Sequence, residues 1–219
     1  MVDTSTLVFK NKKIRSIMKV LKYSFSMLLA VAIVALSSSC RDEALNPVPQ
    51  WETAVNGYAE LIASNNAFST TDVAKAVQYK FRWVSIDNAN TVSKIEYYVS
   101  LNEAFVDKDG NDRTARHGDK LWKVIEGSGV PANRAFVNES ITQAGVYNLF
   151  KGAKYNYGNG SVDVFTSNGR TEAKPLIKAD EVSIRWELTT ADGRKFFEWS
   201  PGICGETPGT NCNIAVAVK

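Results

Sequence analysis

A hydrolytic nucleophile needs a base beside it, and the chain carries one histidine, His117, inside the polar stretch TARHGDK that reads as a loop. No Gly-x-Ser-x-Gly elbow is present, and the three cysteines, Cys40, Cys204 and Cys212, have other readings, so no triad assembles. Glycoside cleavage would need two carboxylates facing one cleft. Residues 40–219 hold 22 Asp and Glu, none set apart as a pair, and a chain of that size is small for most sugar-cleaving folds. Asp107, Asp109, Asn111 and Asp112 in DKDGND cluster hard oxygen ligands, which is the chemistry of calcium. An EF-hand loop has its glycine sixth, whereas Gly110 stands fourth from Asp107, so a hairpin turn is the preferred reading and calcium the alternative. Cys204 and Cys212 with a single histidine are too few ligands for zinc. The glycines of EGSGV and GNGS lack the lysine of a phosphate loop, and no cofactor motif is found. The chemistry-bearing residues therefore describe a protein without catalytic activity.

Aromatic residues offer a different chemistry, the stacking of a ring on the face of a sugar. Of five tryptophans, four lie from position 83 onward. Trp186 shares an alternating apolar phase with Ile184 and Leu188 and is assigned to the core. Tyr98 falls on the polar phase beside Tyr97, and Trp122 and Trp199 lie at strand or loop ends. These three are the candidates for a solvent-facing binding platform, the alternative being that they pack under loops.

Cys40 calls for a separate reading, because a basic stretch (Lys10, Lys12, Lys13, Arg15, Lys19, Lys22) and the ten-residue apolar run MLLAVAIVAL precede it. That is the order of a secretory signal, and the run is too short to span a bilayer. Residues 1–39 are read as the signal, with Met18 as an alternative start. Ser37, Ser38 and Ser39 before Cys40 resemble the lipobox of bacterial lipoproteins. That resemblance implies that Cys40 is acylated and becomes the first residue of the mature chain, with ordinary signal cleavage after Ser39 as the alternative. Asp42 and Glu43 directly behind it look like the export signal of Bacteroidota surface lipoproteins, which implies an outer-membrane anchor facing the cell exterior. LNPVPQ completes a tether over residues 40–50.

Removal of the signal changes two other quantities. The formal charge is +3 for the whole chain, but residues 1–39 hold six Lys or Arg and one Asp, so residues 40–219 carry −2 and a nucleic-acid partner loses its support. It also leaves Cys204 and Cys212 as an even pair in an exported chain, which favours a disulfide across CGETPGTNC.

The elements that must position these residues read as strands. Val182, Ile184, Trp186 and Leu188 alternate with polar neighbours, followed by the turn ADGR and a second strand KFFEWS. Ile95, Tyr97, Val99 and Leu101 alternate likewise, with YKFRWVSI (79–86) expected as their partner strand and KLWKVI (120–125) following as a further one. Ser140 and Gln143 form a capping-box pattern, which predicts one short helix over about 141–151 with Ser140 as N-cap. Strands and turns in this order predict a mainly β fold, an antiparallel β-sandwich, in one domain over 51–219.

Three stretches resemble small Bacteroidota lipoproteins found beside SusC/SusD-type uptake systems: NPVPQWETAVNGYAE, VSKIEYYVSLNEAFVDKDGNDRTARHG and IRWELTTADGRKFFEWSPGICGETPGTNC. The resemblance implies an immunoglobulin-like sandwich comparable to SusE-type glycan-binding lipoproteins. Its function would be non-enzymatic assistance in capturing a glycan or other polymer for a TonB-dependent transporter. The alternative is a structural subunit of such a complex that has no ligand of its own.

Overall fold

A computed structural model describes residues 54–85, 88–158, 160–166, 169–197, 204 and 211–219, all within the unit Glu52–Lys219. The signal, Cys40 and the tether lie outside the described residues.

The strands follow from two-residue alternation. In β1 (Val55–Leu61) and β2 (Val77–Ser85) every second side chain is buried, ending in Val77, Tyr79, Phe81 and Trp83 on one face. The strands β3 (Val92–Val106), β4 (Asp112–Glu126) and β5 (Val137–Ile141) precede one α-helix among the described residues, α1 (Gln143–Phe150). The short strands β6 (Lys154–Asn156) and β7 (Ser161–Asp163), then β8 (Glu181–Thr190), β9 (Lys195–Phe196) and β10 (Asn213–Ala217) complete the order.

These strands form an antiparallel three-stranded sheet, β1-β2-β5, and a larger antiparallel sheet, β10-β8-β3-β4, with β9 paired to β8. The two pack face to face as a β-sandwich. Phe81 meets Tyr97 at 5.3 Å and Trp186 at 5.2 Å between ring centroids, and Tyr79 meets Tyr97 at 6.5 Å, all edge to face. The expected strand over 79–86 is present, but its partners are β1 and β5, while β3 pairs with β4 and β8. Phe81 and Tyr97 are both large and apolar-facing, and sequence alternation cannot say whether two such faces lie side by side or one above the other.

KLWKVI is the second half of one fifteen-residue strand, β4, whose first half carries TARHG. Two irregularities in its pairing with β3 interrupt the alternation. One lies at His117 and Gly118, where glycine adopts φ +69°, and the other at Trp122. The first places His117 in a strand rather than a loop. The helix begins later than expected, because Ser140 and Ile141 still pair with Gln78 and Val77 in β5–β2. Thr142 is the N-cap instead, its hydroxyl accepting from the Gly145 N–H at 3.1 Å.

Asn211 ties the sandwich across its edge. Its side-chain amide brackets Ala59 of β1, accepting from Ala59 N at 2.8 Å and donating to Ala59 O at 2.7 Å, which occupies backbone groups that an edge strand otherwise leaves open. On the opposite side, Lys123 of β4 donates to both oxygens of Glu139 of β5, at 2.8 and 2.6 Å. Trp186 lies directly on Gly57: a Cβ placed there would fall 1.9 Å from the indole Nε1.

Candidate functional site

Cys40, Asp42, Glu43 and Trp199 lie outside the described residues. Cys204 and Cys212 are joined by a disulfide with Cα atoms 5.1 Å apart.

Tyr98 and Trp122, expected to share a platform, lie on opposite faces of the large sheet. Tyr98 points outward beneath the Arg185 guanidinium, 4.3 Å from its ring centroid, and Arg185 is itself held by Asp119 and Glu187. Trp122 packs edge to face on buried Tyr97 at 6.2 Å. The irregularity at Trp122 is the physical reason, since an extra residue in one strand moves a side chain to the other face.

Asp107 shapes the turn of the β3–β4 hairpin. Its Oδ1 accepts from the N–H groups of Asp109 at 2.9 Å and Asn111 at 2.8 Å, its Oδ2 accepts from Arg113 Nε at 2.9 Å, and Gly110 supplies φ +83°. The Asn111 N–H beside it, then Arg113, hold its carboxyl at about 2. The chain's own donors occupy both carboxylate oxygens of Asp107, and no group of three metal-binding side chains occurs among the described residues.

A buried ionic network was not expected from the sequence. Glu103 Oε2 accepts from His117 Nε2 at 2.7 Å and from the Tyr157 hydroxyl, and Arg170 Nε lies 2.9 Å from Glu103 Oε1 as an ion-pair contact without hydrogen-bond alignment. Because the carboxylate of Glu103 can only accept, His117 Nε2 carries the proton in this contact. Arg170 pairs through both terminal nitrogens with Asp180, and also donates to Pro175 O at 2.9 Å and Ala104 O at 2.7 Å. Asp180 in turn accepts from Ala104 N and Ile177 N, both at 2.8 Å, and so holds the turn that carries Ala179 at φ +80°. The Arg170 and Glu103 side chains are 0% exposed and that of His117 3%. A groove of about 670 Å³ opens beside this network, but its lining, which includes Phe105, Arg113 and Lys178, contains none of the five network residues. The arrangement fastens residues 170–180 to β3 and β4, and its carboxylate and imidazole are buried. One sequence signal pointed here: Glu103 continues the inward phase of Ile95, Tyr97, Val99 and Leu101.

The outer face of the small sheet carries a row of aromatic and cationic side chains. Tyr58 of β1 stands opposite Arg82 of β2, and pairing of Phe81 with Val137 brings Phe136, the residue just before β5, to the same level. The two rings lie 6.3 Å apart, and the Arg82 guanidinium sits 5.3 Å from the Tyr58 centroid and 4.8 Å from that of Phe136. Lys80 Nζ is 4.8 Å from the Phe136 centroid and ion-paired to Glu60, whose Oε2 accepts from the Tyr58 hydroxyl at 2.7 Å. The hydrogen bond to Glu60, then burial, raises the Tyr58 phenol above its ordinary value, and those to Lys80 and Tyr58 lower the Glu60 carboxyl. Phe136 is 43% exposed. This row escaped the sequence reading because Phe136 precedes its strand and Tyr58 looks like any outward residue of an alternating strand.

No protein-family model matches the chain, and no curated protein matches it. Two solved structures are similar to part of it. One is a DUF4466 family protein from Parabacteroides merdae, at 9% identity and TM-score 0.33, over 68% of this chain and 44% of that one. The other is Spo0M, a sporulation control protein from Bacillus subtilis, at 10% identity and TM-score 0.28, over 75% of this chain and 49% of that one. The match thus spans about half the length of either protein, and at these scores neither likeness bears on what this chain does.

Proposed function

We propose that this protein is a non-enzymatic lipoprotein, anchored through acylated Cys40 in the outer membrane and facing the cell exterior. It assists capture of a glycan for a TonB-dependent SusC/SusD-type transporter. The observation that carries this reading is the continuous order of basic stretch, ten-residue apolar run, three serines, Cys40 and the acidic pair Asp42–Glu43. A sandwich with an aromatic and cationic outer face supports a binding role. Cys40→Ser is expected to abolish incorporation of labelled palmitate and to release the chain from membranes. Replacing Asp42 and Glu43 with alanine is expected to leave it lipidated but inaccessible to protease added to intact cells. Retained palmitate labelling in Cys40→Ser would overturn the anchor.

A second reading is an accessory subunit that binds the transporter and no sugar. Leu121 and Val124, 49% and 43% exposed on the outer face of edge strand β4, favour it. Co-purification with a transporter complex, combined with no retardation on any polysaccharide, would select this second reading.

A further inference from the structure

We propose that the row Tyr58–Arg82–Phe136 is a binding site for a carboxylated sugar, a hexuronate unit within a polysaccharide. This rests on the glycan-capture reading and narrows it to acidic polymers.

Three observations point to that ligand. Tyr58 and Arg82 face each other across the hydrogen-bonded β1–β2 pair, and Phe136 stands one residue before β5, which pairs with β2, so the row is carried by the small sheet. Its charge is unbalanced. Glu60, the neighbouring carboxylate, is already engaged by Lys80 and the Tyr58 hydroxyl, while Arg82, which also feels Glu60 electrostatically, makes no direct ion pair among the described residues. Arg82 Nε is also buried without a hydrogen-bond acceptor, and the guanidinium packs against two neighbouring rings. A guanidinium so fixed presents its terminal donors in the fork that matches a carboxylate, and flanking rings suit the C–H face of a pyranose. A sugar ring bearing one carboxylate satisfies both at once. A neutral sugar would use the rings and leave the charge unanswered.

The test is affinity electrophoresis of the full chain in mild detergent, through gels containing polygalacturonate, the same polymer methyl-esterified, or a neutral glucan or mannan. Polygalacturonate is expected to retard the protein, and the esterified polymer to do so far less. Arg82→Gln and Arg82→Lys are each expected to weaken that retardation by about 10- to 100-fold, the lysine variant because it keeps the charge and loses the fork. Phe136→Ala should weaken it too, with thermal unfolding of each variant showing that the fold is retained. Equal retardation by the esterified polymer, or by the neutral glycans alone, would overturn the acidic ligand while leaving glycan capture in place. Retardation by polygalacturonate unchanged in all three variants would overturn the site. Silence on every polymer would overturn both the site and the glycan reading beneath it.

Discussion

Arg170 is the residue on which the most buried charge depends. It lies between Glu103 and Asp180 with its side chain fully enclosed. Removing one member of such an assembly leaves the others desolvated and uncompensated, which costs about 3–5 kcal/mol, whereas a matched apolar replacement of the whole set is often neutral. Arg170→Met is therefore expected to lower unfolding free energy in urea by about that amount; a change below about 1 kcal/mol would contradict the role assigned to it. Asp107 acts in the opposite setting, at an exposed turn. Its folded-state value of about 2 lies below the ordinary 3.8, so the turn's contribution is fully present above that ordinary value. It is lost as pH falls through the folded one. An NMR titration of the Asp107 carboxyl is expected to give a midpoint near 2, and in Asp107→Ala the stability loss between pH 4 and pH 2 should be smaller than in the wild type. At this scale Glu103 was partly legible, as a carboxylate on an apolar phase. Arg170 and Asp180 were not, because they sit in segments without periodicity and meet Glu103 only through the fold.

At the scale of elements, alternation located β2, β3 and β8 well, since a strand buried on one face must repeat every two residues. It failed where an irregularity shifts the phase, at Gly118 and Trp122 of β4, and so misplaced His117 and Trp122. The helix start failed for a related reason: Ser140 has the composition of a cap, but strand pairing with β2 claims it first. Thr142→Ala is expected to cost about 1 kcal/mol, with Ser140→Ala costing less, in paired denaturant titrations. A close approach between the sheets gives a sharper forecast. Gly57→Ala would drive a methyl group into the Trp186 ring, and overpacking of this kind costs about 1–3 kcal/mol. A melting temperature lower by a few degrees or more, at about 2–4 °C per kcal/mol for a domain of this size, is the expected reading. An unchanged value would mean that the indole yields at little cost.

For the molecule as a whole, the Cys204–Cys212 bridge closes a short loop beside β10, which follows Cys212 directly. Chain-entropy arguments give it about 2.5 kcal/mol, so the double variant Cys204→Ser/Cys212→Ser is expected to unfold at correspondingly lower denaturant, and reduction of the wild type should reproduce the shift. The single variants in an oxidising compartment add a free thiol, so the double variant is the cleaner comparison.

Order along the chain is enough to specify what depends on local pattern: the alternating strands, the hairpin turns, and the short spacing that lets Cys204 and Cys212 meet. These follow from sterics and hydrophobic periodicity, which act within a few residues. Which faces meet was settled only in three dimensions. Tertiary packing placed β2 across from β3 instead of beside it, turned Tyr98 and Trp122 to opposite sides, and gathered Glu103, His117, Tyr157, Arg170 and Asp180 into one buried network. It also brought Tyr58 and Phe136, far apart in the chain, together against Arg82. A two-residue period records that a side chain is buried or exposed; the neighbour it gains depends on sheet order and register, which are set by the packing of the whole domain.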